Sequence, residues 1–159
     1  MSLRILHFSD LHLMKNSQAM DTLLMYFNQS MDEIQKDDGI DLVIFTGDLI
    51  DKGGASFGDI NAAFKKFEEV VIIPILEKLK LPKERFVFIP GNHDTENDAK
   101  RNIEKIGVIE SYSLKERQQI IDLKNSTDKS IMEMLCSRTK AFKEFEKNYY
   151  SDLILEDAR

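Results

Sequence analysis

The chain of 159 residues has few cysteines, few histidines and no long apolar run. Its single cysteine, Cys136, excludes a disulfide framework and a cysteine-based metal site, and it favours a reducing compartment. No apolar stretch reaches the roughly 18 residues that a membrane-spanning helix needs, and the first residues do not form a signal peptide. We therefore expect a cytoplasmic protein without a membrane partner.

The composition is that of an ordinary folded protein. Hydrophobic residues make up 42% of the chain and charged residues 31%, so wholesale disorder is excluded and one domain with a sizeable core is expected. The net charge of −6 does not indicate a large nucleic-acid surface. A nucleic-acid substrate stays compatible with the sequence, because a local basic patch can exist in an acidic chain.

Three short apolar runs, rich in β-branched and aromatic residues, predict β-strands near residues 3–8, 41–45 and 85–89. The runs are almost continuously apolar rather than alternating, which is typical of strands covered on both faces in a parallel sheet. Helical periodicity covers residues 17–36 and 59–80, and Pro74 should kink or divide the second helix. The order of elements predicts an α/β fold with parallel strands, flanking helices and right-handed crossovers.

The character of the chain changes after residue 98. Residues 99–106 are expected to form a short helix and residues 113–150 to be mainly helical, with no strand candidate. We therefore divide the chain into an α/β part, residues 1–98, and a helical extension, residues 99–159.

Each predicted strand is followed directly by a distinctive polar motif. These motifs read "SDLH" after the first strand, "TGDLID" after the second and "PGNHD" after the third. The carboxyl ends of parallel strands meet at one edge of the sheet, where such sheets bind ligands. The candidate site residues are Asp10, His12, Asp48, Asn92, His93 and Asp94.

Carboxylate, imidazole and amide oxygen together suit divalent metals. Two such ions about 3.5–4 Å apart would bind a phosphate and acidify a shared water, which is what attack on phosphorus requires. Phosphoryl transfer needs little beyond positioning and neutralisation of charge. The motifs therefore indicate a dinuclear site for phosphoester hydrolysis.

The motifs "DLH", "GDLID" and "GNHD", in this order and each after a strand, resemble those of the calcineurin-like metallophosphoesterase superfamily. The resemblance covers roughly residues 3–98. It implies that Asp10 and His12 bind a first metal, that Asp48 bridges two metals and that Asn92 binds the second. The metals implied are Mn, Fe or Zn.

The resemblance also implies roles for the last two motif residues. His93 would contact the phosphate and assist the leaving group, and Asp94 would orient His93. "GNHD" rather than "GNHE", and "DKG" rather than "DRG", look less like the protein Ser/Thr phosphatases than like the phosphodiesterase, purple-acid-phosphatase-like and repair-nuclease branches.

Three neighbouring polar residues are interpreted more modestly. His7 alternates with the site-facing residues along its strand and is expected to be structural. Asp51 either touches the site or has a helix-capping or loop role, and both readings stay open. Lys52 is expected to be solvated.

The superfamily completes its site with three later histidines, whereas the histidines of this chain are His7, His12 and His93. The family fold also needs a second set of strands, and none is predicted after residue 98. We therefore expect residues 1–98 to be the N-terminal part of a metallophosphoesterase domain, the first half of a two-sheet sandwich. Residues 99–159 would be a truncated helical insertion or cap.

An incomplete ligand set predicts that this chain binds at most one metal tightly and hydrolyses its phosphate-ester substrate weakly or not at all. The alternative is a non-catalytic binding or assembly module that keeps the first half of the fold. Half of a sandwich leaves an apolar sheet face uncovered. We expect the C-terminal helices or another copy of the chain to cover that face.

Overall fold

The computed structural model describes residues 3–36, 39–96 and 137–151. The strands are β1 (Ile5–Phe8), β2 (Leu42–Thr46) and β3 (Phe86–Ile89), and the α-helices are α1 (Gln18–Lys36), α2 (Ile60–Phe67), α3 (Ile73–Leu79) and α4 (Lys140–Tyr149). Short 3-10 segments cover Lys52–Phe57 and Lys83–Arg85, and a π-helical segment covers Glu68–Ile72. Within the described ranges, no helix combines the length and apolar character needed to cross a bilayer.

The three strands form one parallel sheet in the order β1-β2-β3. Leu6 pairs with Val43 and Val43 with Phe86, and two residues further along Phe8 pairs with Phe45 and Phe45 with Phe88. The predicted strands, their parallel direction and the α/β class are therefore confirmed.

The predicted helix over residues 59–80 is present but divided. Pro74 has no backbone N–H, so it cannot make the usual bond to the carbonyl four residues earlier. The π-helical segment lies directly before it, where the N–H of Ile73 donates to the carbonyl of Glu68, five residues back. The widened turn accommodates the proline, and the chain continues as α3.

One face of the sheet carries the core. Val43, Phe45, Phe86 and Phe88 are buried there, and the ring of Phe8 contacts Phe45 edge to face. Both crossovers run in the same direction along the sheet, from β1 to β2 and from β2 to β3. Right-handed crossovers in one direction place their helices on the same face, so α1 and the α2–α3 pair cover this face together.

The other face of the sheet is open in the described part of the chain. Ile5, Val87 and Ile89 on that face are 46%, 40% and 53% exposed. We expected strands covered on both faces, and the same-direction crossovers explain the difference, because neither crossover helix can reach the second face. His7 lies on the open face with its Nε2 2.8 Å from the hydroxyl of Thr46, a structural contact.

Helix α4 packs on the helical side of the sheet rather than on the open face. The rings of Phe142 and Phe145 contact both Phe64 of α2 and Phe88 of β3. This is the described portion of the segment predicted to be helical over 113–150; the remainder, the predicted helix 99–106 and Cys136 lie outside the described residues. Covering of the open face by other C-terminal residues or by a second copy stays a prediction, and light scattering of the purified chain tests the second.

Candidate metal centre

The loops that follow the strands stay paired beyond the sheet. The N–H of Asp10 donates to the carbonyl of Gly47 at 3.0 Å, and the N–H of His12 donates to the carbonyl of Asp48 at 2.9 Å. Leu13 continues this pairing with Leu49. The motif after β1 therefore lies directly beside the motif after β2, as the carboxyl-edge argument predicts.

Three predicted site residues have left-handed backbone conformations. The φ angles are +58° at Asp10, +48° at His12 and +57° at Asp48. Such conformations cost about 1–3 kcal/mol for a residue with a side chain, and they cluster at functional sites. The surrounding loop pairing holds all three residues in this conformation.

Two glycines let the loops after β2 and β3 touch. A Cβ added to Gly47, whose φ is +91°, would lie 2.9 Å from the Cα of Gly91. A Cβ added to Gly91 would overlap the backbone nitrogen and a carboxylate oxygen of Asp48. Glycine at both positions is therefore a steric condition for placing Asp48 in the site.

The buried side chain of Asp94 connects the loops after β2 and β3. It is the buried charged side chain of the described core, and its carboxylate accepts the N–H groups of Leu49, Ile50 and Gly91 at 3.1, 3.0 and 2.8 Å. Burial raises the pKa of Asp94, although the three N–H groups oppose the shift.

Potential ligand atoms converge at the edge of the sheet. One side-chain atom each from His12, Asp48 and His93 lies within 4.8 Å of the others, and all three residues are half-buried. The His12 Nε2 is 3.8 Å from the Asp48 Oδ2, and the backbone N–H of His93 donates to the Asp48 Oδ1 at 2.9 Å. Imidazole and carboxylate in this arrangement can hold a borderline divalent metal.

The ring of His93 has partners that the sequence did not assign to it. Its Nδ1 accepts the backbone N–H of Lys52 at 3.3 Å and lies 4.0 Å from the Oδ1 of Asp51. Asp94, which the resemblance gave this orienting role, instead binds the backbone of the two loops. The sequence signal for Asp51 was its position three residues after Asp48. That position was compatible both with a contact to the site and with a helix-capping or loop role.

Two predicted ligands, Asp10 and Asn92, are exposed rather than half-buried. Asp10 is exposed, and its carboxylate accepts the hydroxyl of the neighbouring Ser9. Asn92 is exposed beside His93, and its backbone carbonyl accepts the hydroxyl of Thr95 at 2.9 Å. Their ligand roles stay predictions.

Two of the described cavities are lined by predicted site residues. One of about 260 Å³ is lined by Asp10, and one of about 200 Å³ is lined by Asn92 and His93 together with Lys52, Gly53, Thr95 and Arg138. A larger one of about 550 Å³ begins at Leu13, between α1 and α2, and none of the six predicted site residues lines it. Arg138 comes from the C-terminal segment, and nothing in the sequence pattern connected it to the site.

The family model described as calcineurin-like phosphoesterase matches residues 3–155. The match confirms the family that the three motifs indicated, and it extends well beyond the motif-bearing part of the chain.

A curated protein of Arcobacter nitrofigilis, named probable glycerophosphodiester phosphodiesterase GpdQ, is 42% identical to this chain over 65 residues. The matched stretch is 41% of this chain and 19% of that protein, so the chain spans only a small part of the length of this relative. The likeness agrees with the phosphodiesterase branch of the family.

Proposed function

We propose that this chain, which belongs to the calcineurin-like phosphoesterase family, contributes to hydrolysis of phosphodiester bonds with the help of divalent metal ions. The observation that carries the proposal is the convergence of His12, Asp48 and His93 at the carboxyl edge of the sheet. The named activity of the relative, a probable phosphodiesterase, favours a diester over a monoester.

The residues present fit a divalent metal by their donor chemistry. Asp10, His12 and Asp48 would hold the first ion, and Asp48 and Asn92 would contribute to a second. Mn, Fe and Zn all accept this mixture of oxygen and nitrogen donors. When bound, such ions neutralise the charge of the phosphate and acidify the attacking water.

His93 is placed to hold a proton rather than a metal. A neutral imidazole has one acceptor nitrogen and one donor nitrogen. Because Nδ1 accepts the backbone N–H of Lys52, the ring proton resides on Nε2. The Nε2–H of the neutral ring can bind a phosphate oxygen. To protonate the departing alkoxide from Nε2 and end as a neutral imidazole, which is the role that the resemblance gives His93, the ring would first take up a second proton on Nδ1, where the contact with Asp51 would replace the bond from Lys52.

Two carboxylates support His93 in different ways. Asp51 lies next to Nδ1 and would stabilise the ring when it is charged. Asp94 contacts no atom of the ring in the described structure, and it acts on the site by holding the loops that carry Asp48 and His93. We therefore assign the orienting role to Asp51 and a positioning role to Asp94.

The number of ligands sets an expectation for metal binding. The first ion would have three protein ligands and the second only two, one of them shared. We expect at most one tightly bound ion in this chain and slow hydrolysis at most, because two adjacent ions are needed to clamp both oxygens of the displacement.

Calorimetric titration of the metal-free chain with Mn²⁺ and Zn²⁺ tests the site directly. We expect about one ion per chain and loss of binding in His12→Ala and Asp48→Asn. His7→Ala is the matched control, since His7 lies on the open sheet face and should leave the affinity unchanged. Binding that survives both site variants would overturn the assignment.

Hydrolysis of bis-p-nitrophenyl phosphate with Mn²⁺ tests the activity. We expect a slow metal-dependent rate that disappears in His93→Ala, although that variant keeps its metal. If metal binds as expected and no hydrolysis above the His93→Ala background is detected, the alternative of a non-catalytic module is favoured.

A further inference from the structure

We propose that Lys52 and Arg138 form an anion subsite beside His93, which selects phosphoesters whose leaving alcohol carries a negative group such as a phosphate or carboxylate. This inference rests on the proposed hydrolysis. Its starting observation is the cavity of about 200 Å³ that Lys52 and Arg138 line together with His93 and Asn92.

The charge of this cavity is opposite to that of the chain. The net charge of the chain is −6, yet the described residues that line the cavity include two cations and no carboxylate. Glu96 lies in the adjoining cavity, which shares Lys52 and Gly53. A cationic recess next to the catalytic edge of an acidic chain attracts an anionic ligand group locally.

Arg138 is held in place with donors to spare. Its Nε donates to the carbonyl of Glu96 at 3.4 Å and its Nη2 to the hydroxyl of Thr95 at 3.3 Å. The backbone of Arg138 is fixed as well, because its carbonyl accepts the N–H of Glu96 at 2.9 Å. Two of the five N–H donors of the guanidinium are used in these contacts, and the planar remainder suits a phosphate or carboxylate.

Lys52 is fixed by its backbone while its side chain is exposed. Its N–H donates to the Nδ1 of His93, and the N–H of the next residue, Gly53, donates to the carbonyl of His93 at 2.7 Å. The segment that carries Lys52 is therefore tied to His93 at two points. Lys52 itself lines the cavity together with that histidine.

The position of His93 decides which part of the substrate enters the cavity. His93 belongs to the group of potential ligands with Asp48, and it also lines the cationic cavity. As the residue that would protonate the departing alkoxide, it marks the leaving-group side of the phosphorus. A group in the cavity is thus a substituent of the leaving alcohol.

The size of the cavity limits that substituent. Pockets for drug-sized ligands have volumes of roughly 300–1,000 Å³, so a cavity of about 200 Å³ suits a small charged group rather than a base or a sugar. A phosphate or carboxylate on a short alcohol meets both the charge and the volume.

The first test measures binding without catalysis. The metal-free chain is titrated with inorganic phosphate while the backbone amide signals of Gly53 and Thr95 are followed by NMR. We expect saturable shifts with a dissociation constant on the order of 1 mM. Arg138→Gln should weaken binding roughly tenfold or more, because a charge-assisted contact is lost.

Lys147→Gln is the matched control. It removes one exposed positive charge from α4 that does not line the cavity, so phosphate binding should persist within about threefold. Equal loss in Lys147→Gln and Arg138→Gln would mean that phosphate responds only to the net charge of the chain, and it would overturn the subsite. Unchanged binding in Arg138→Gln would overturn it as well.

The second test measures selectivity under Mn²⁺. The substrates are methyl phenyl phosphate and its 4-carboxyphenyl counterpart, which differ by one carboxylate on the leaving alcohol. We expect the kcat/KM of the carboxylated substrate, divided by that of methyl phenyl phosphate, to fall roughly tenfold in Arg138→Gln. The change should come mainly from KM of the carboxylated substrate. A ratio that does not move would refute the subsite and leave the hydrolysis proposal standing, whereas phosphate shifts without any hydrolysis would refute the hydrolysis.

Discussion

The loop after β1 and the loops after β2 and β3 reach the same edge of the sheet, but they are held there differently. The loops after β2 and β3 are locked together by the contact of Gly47 with Gly91 and by the buried carboxylate of Asp94. The loop after β1 is tied mainly by backbone bonds to Gly47, Asp48, Leu49 and Asp51, with Leu13 buried in the core.

The side chains follow this difference. The carboxylate of Asp48 accepts the N–H of His93 and is largely covered, with 13% of its side chain exposed. The carboxylate of Asp10 is in an exposed residue and contacts the neighbouring hydroxyl of Ser9. The half of the site built on β2 and β3 is thus organised in advance by packing, whereas the carboxylate of Asp10 lies in an exposed residue and has the Ser9 hydroxyl as its partner.

The largest effect is expected from Gly91→Ala. Because a Cβ at this position overlaps Asp48, the locked loops must separate, and we expect the free energy of unfolding to fall by at least about 3 kcal/mol. Urea denaturation followed by circular dichroism measures this loss. Gly58→Ala is the control, since its Cβ meets nothing within 4 Å and only the positive φ opposes it, at a cost of roughly 1 kcal/mol. Similar losses in both variants would show that the loops are not locked.

The next largest effect is expected from Asp94→Ala. The change leaves the N–H groups of Leu49, Ile50 and Gly91 without their buried acceptor, and we expect a loss of about 2–3 kcal/mol. Asp59→Ala serves for comparison, because Asp59 caps α2 through a single bond to the N–H of Ala62 at an exposed position, worth about 1 kcal/mol. If Asp94→Ala lowers the free energy of unfolding by no more than Asp59→Ala in the same denaturation experiment, Asp94 does not hold the two loops together.

A third prediction compares the loop after β1 with the loops after β2 and β3 by the metal affinity that each contributes. Asp48→Asn should weaken Mn²⁺ binding at least about tenfold more than Asp10→Asn, a difference of about 1.4 kcal/mol. The reason is that the Asp48 carboxylate is largely covered and already lies beside His12, while Asp10 is exposed. Calorimetry on both variants under identical conditions gives the ratio. A larger loss in Asp10→Asn would reverse the comparison.

The smallest effect is expected from Ser9→Ala. The hydroxyl of Ser9 contacts Asp10 at an exposed position, so its removal should change the free energy of unfolding by less than about 0.5 kcal/mol. The same variant should bind Mn²⁺ slightly more tightly, because Asp10 no longer has a competing partner. A loss of several kcal/mol would mean that the contact between Ser9 and Asp10 itself holds the loop after β1.

Much of the fold was predictable because its signals are local. The runs "RILHF", "LVIFT" and "RFVFI" contain the apolar residues that form the sheet, and the three-and-four spacing over residues 17–36 identifies α1. Parallel strands place their carboxyl ends at one edge. This alone predicted that the motifs containing His12, Asp48 and His93 would lie together.

Tertiary structure decided the properties that depend on how distant segments meet. Residue patterns did not show that both crossovers run in the same direction and leave Val87 and Ile89 exposed. The apolar pattern of a strand indicates that it is a strand, but it does not show which helices cover each of its faces. The partners of His93 depend on left-handed turns around Asp48 and Lys52, whose geometry follows from loop packing. Arg138 comes to Thr95 from 43 residues away.

Sequence by itself determined the strands, the helices and the chemical character of the edge, since neighbouring side chains encode these. Which carboxylate lies near His93 and which cations line the same cavity were decided only by contacts between distant parts of the chain.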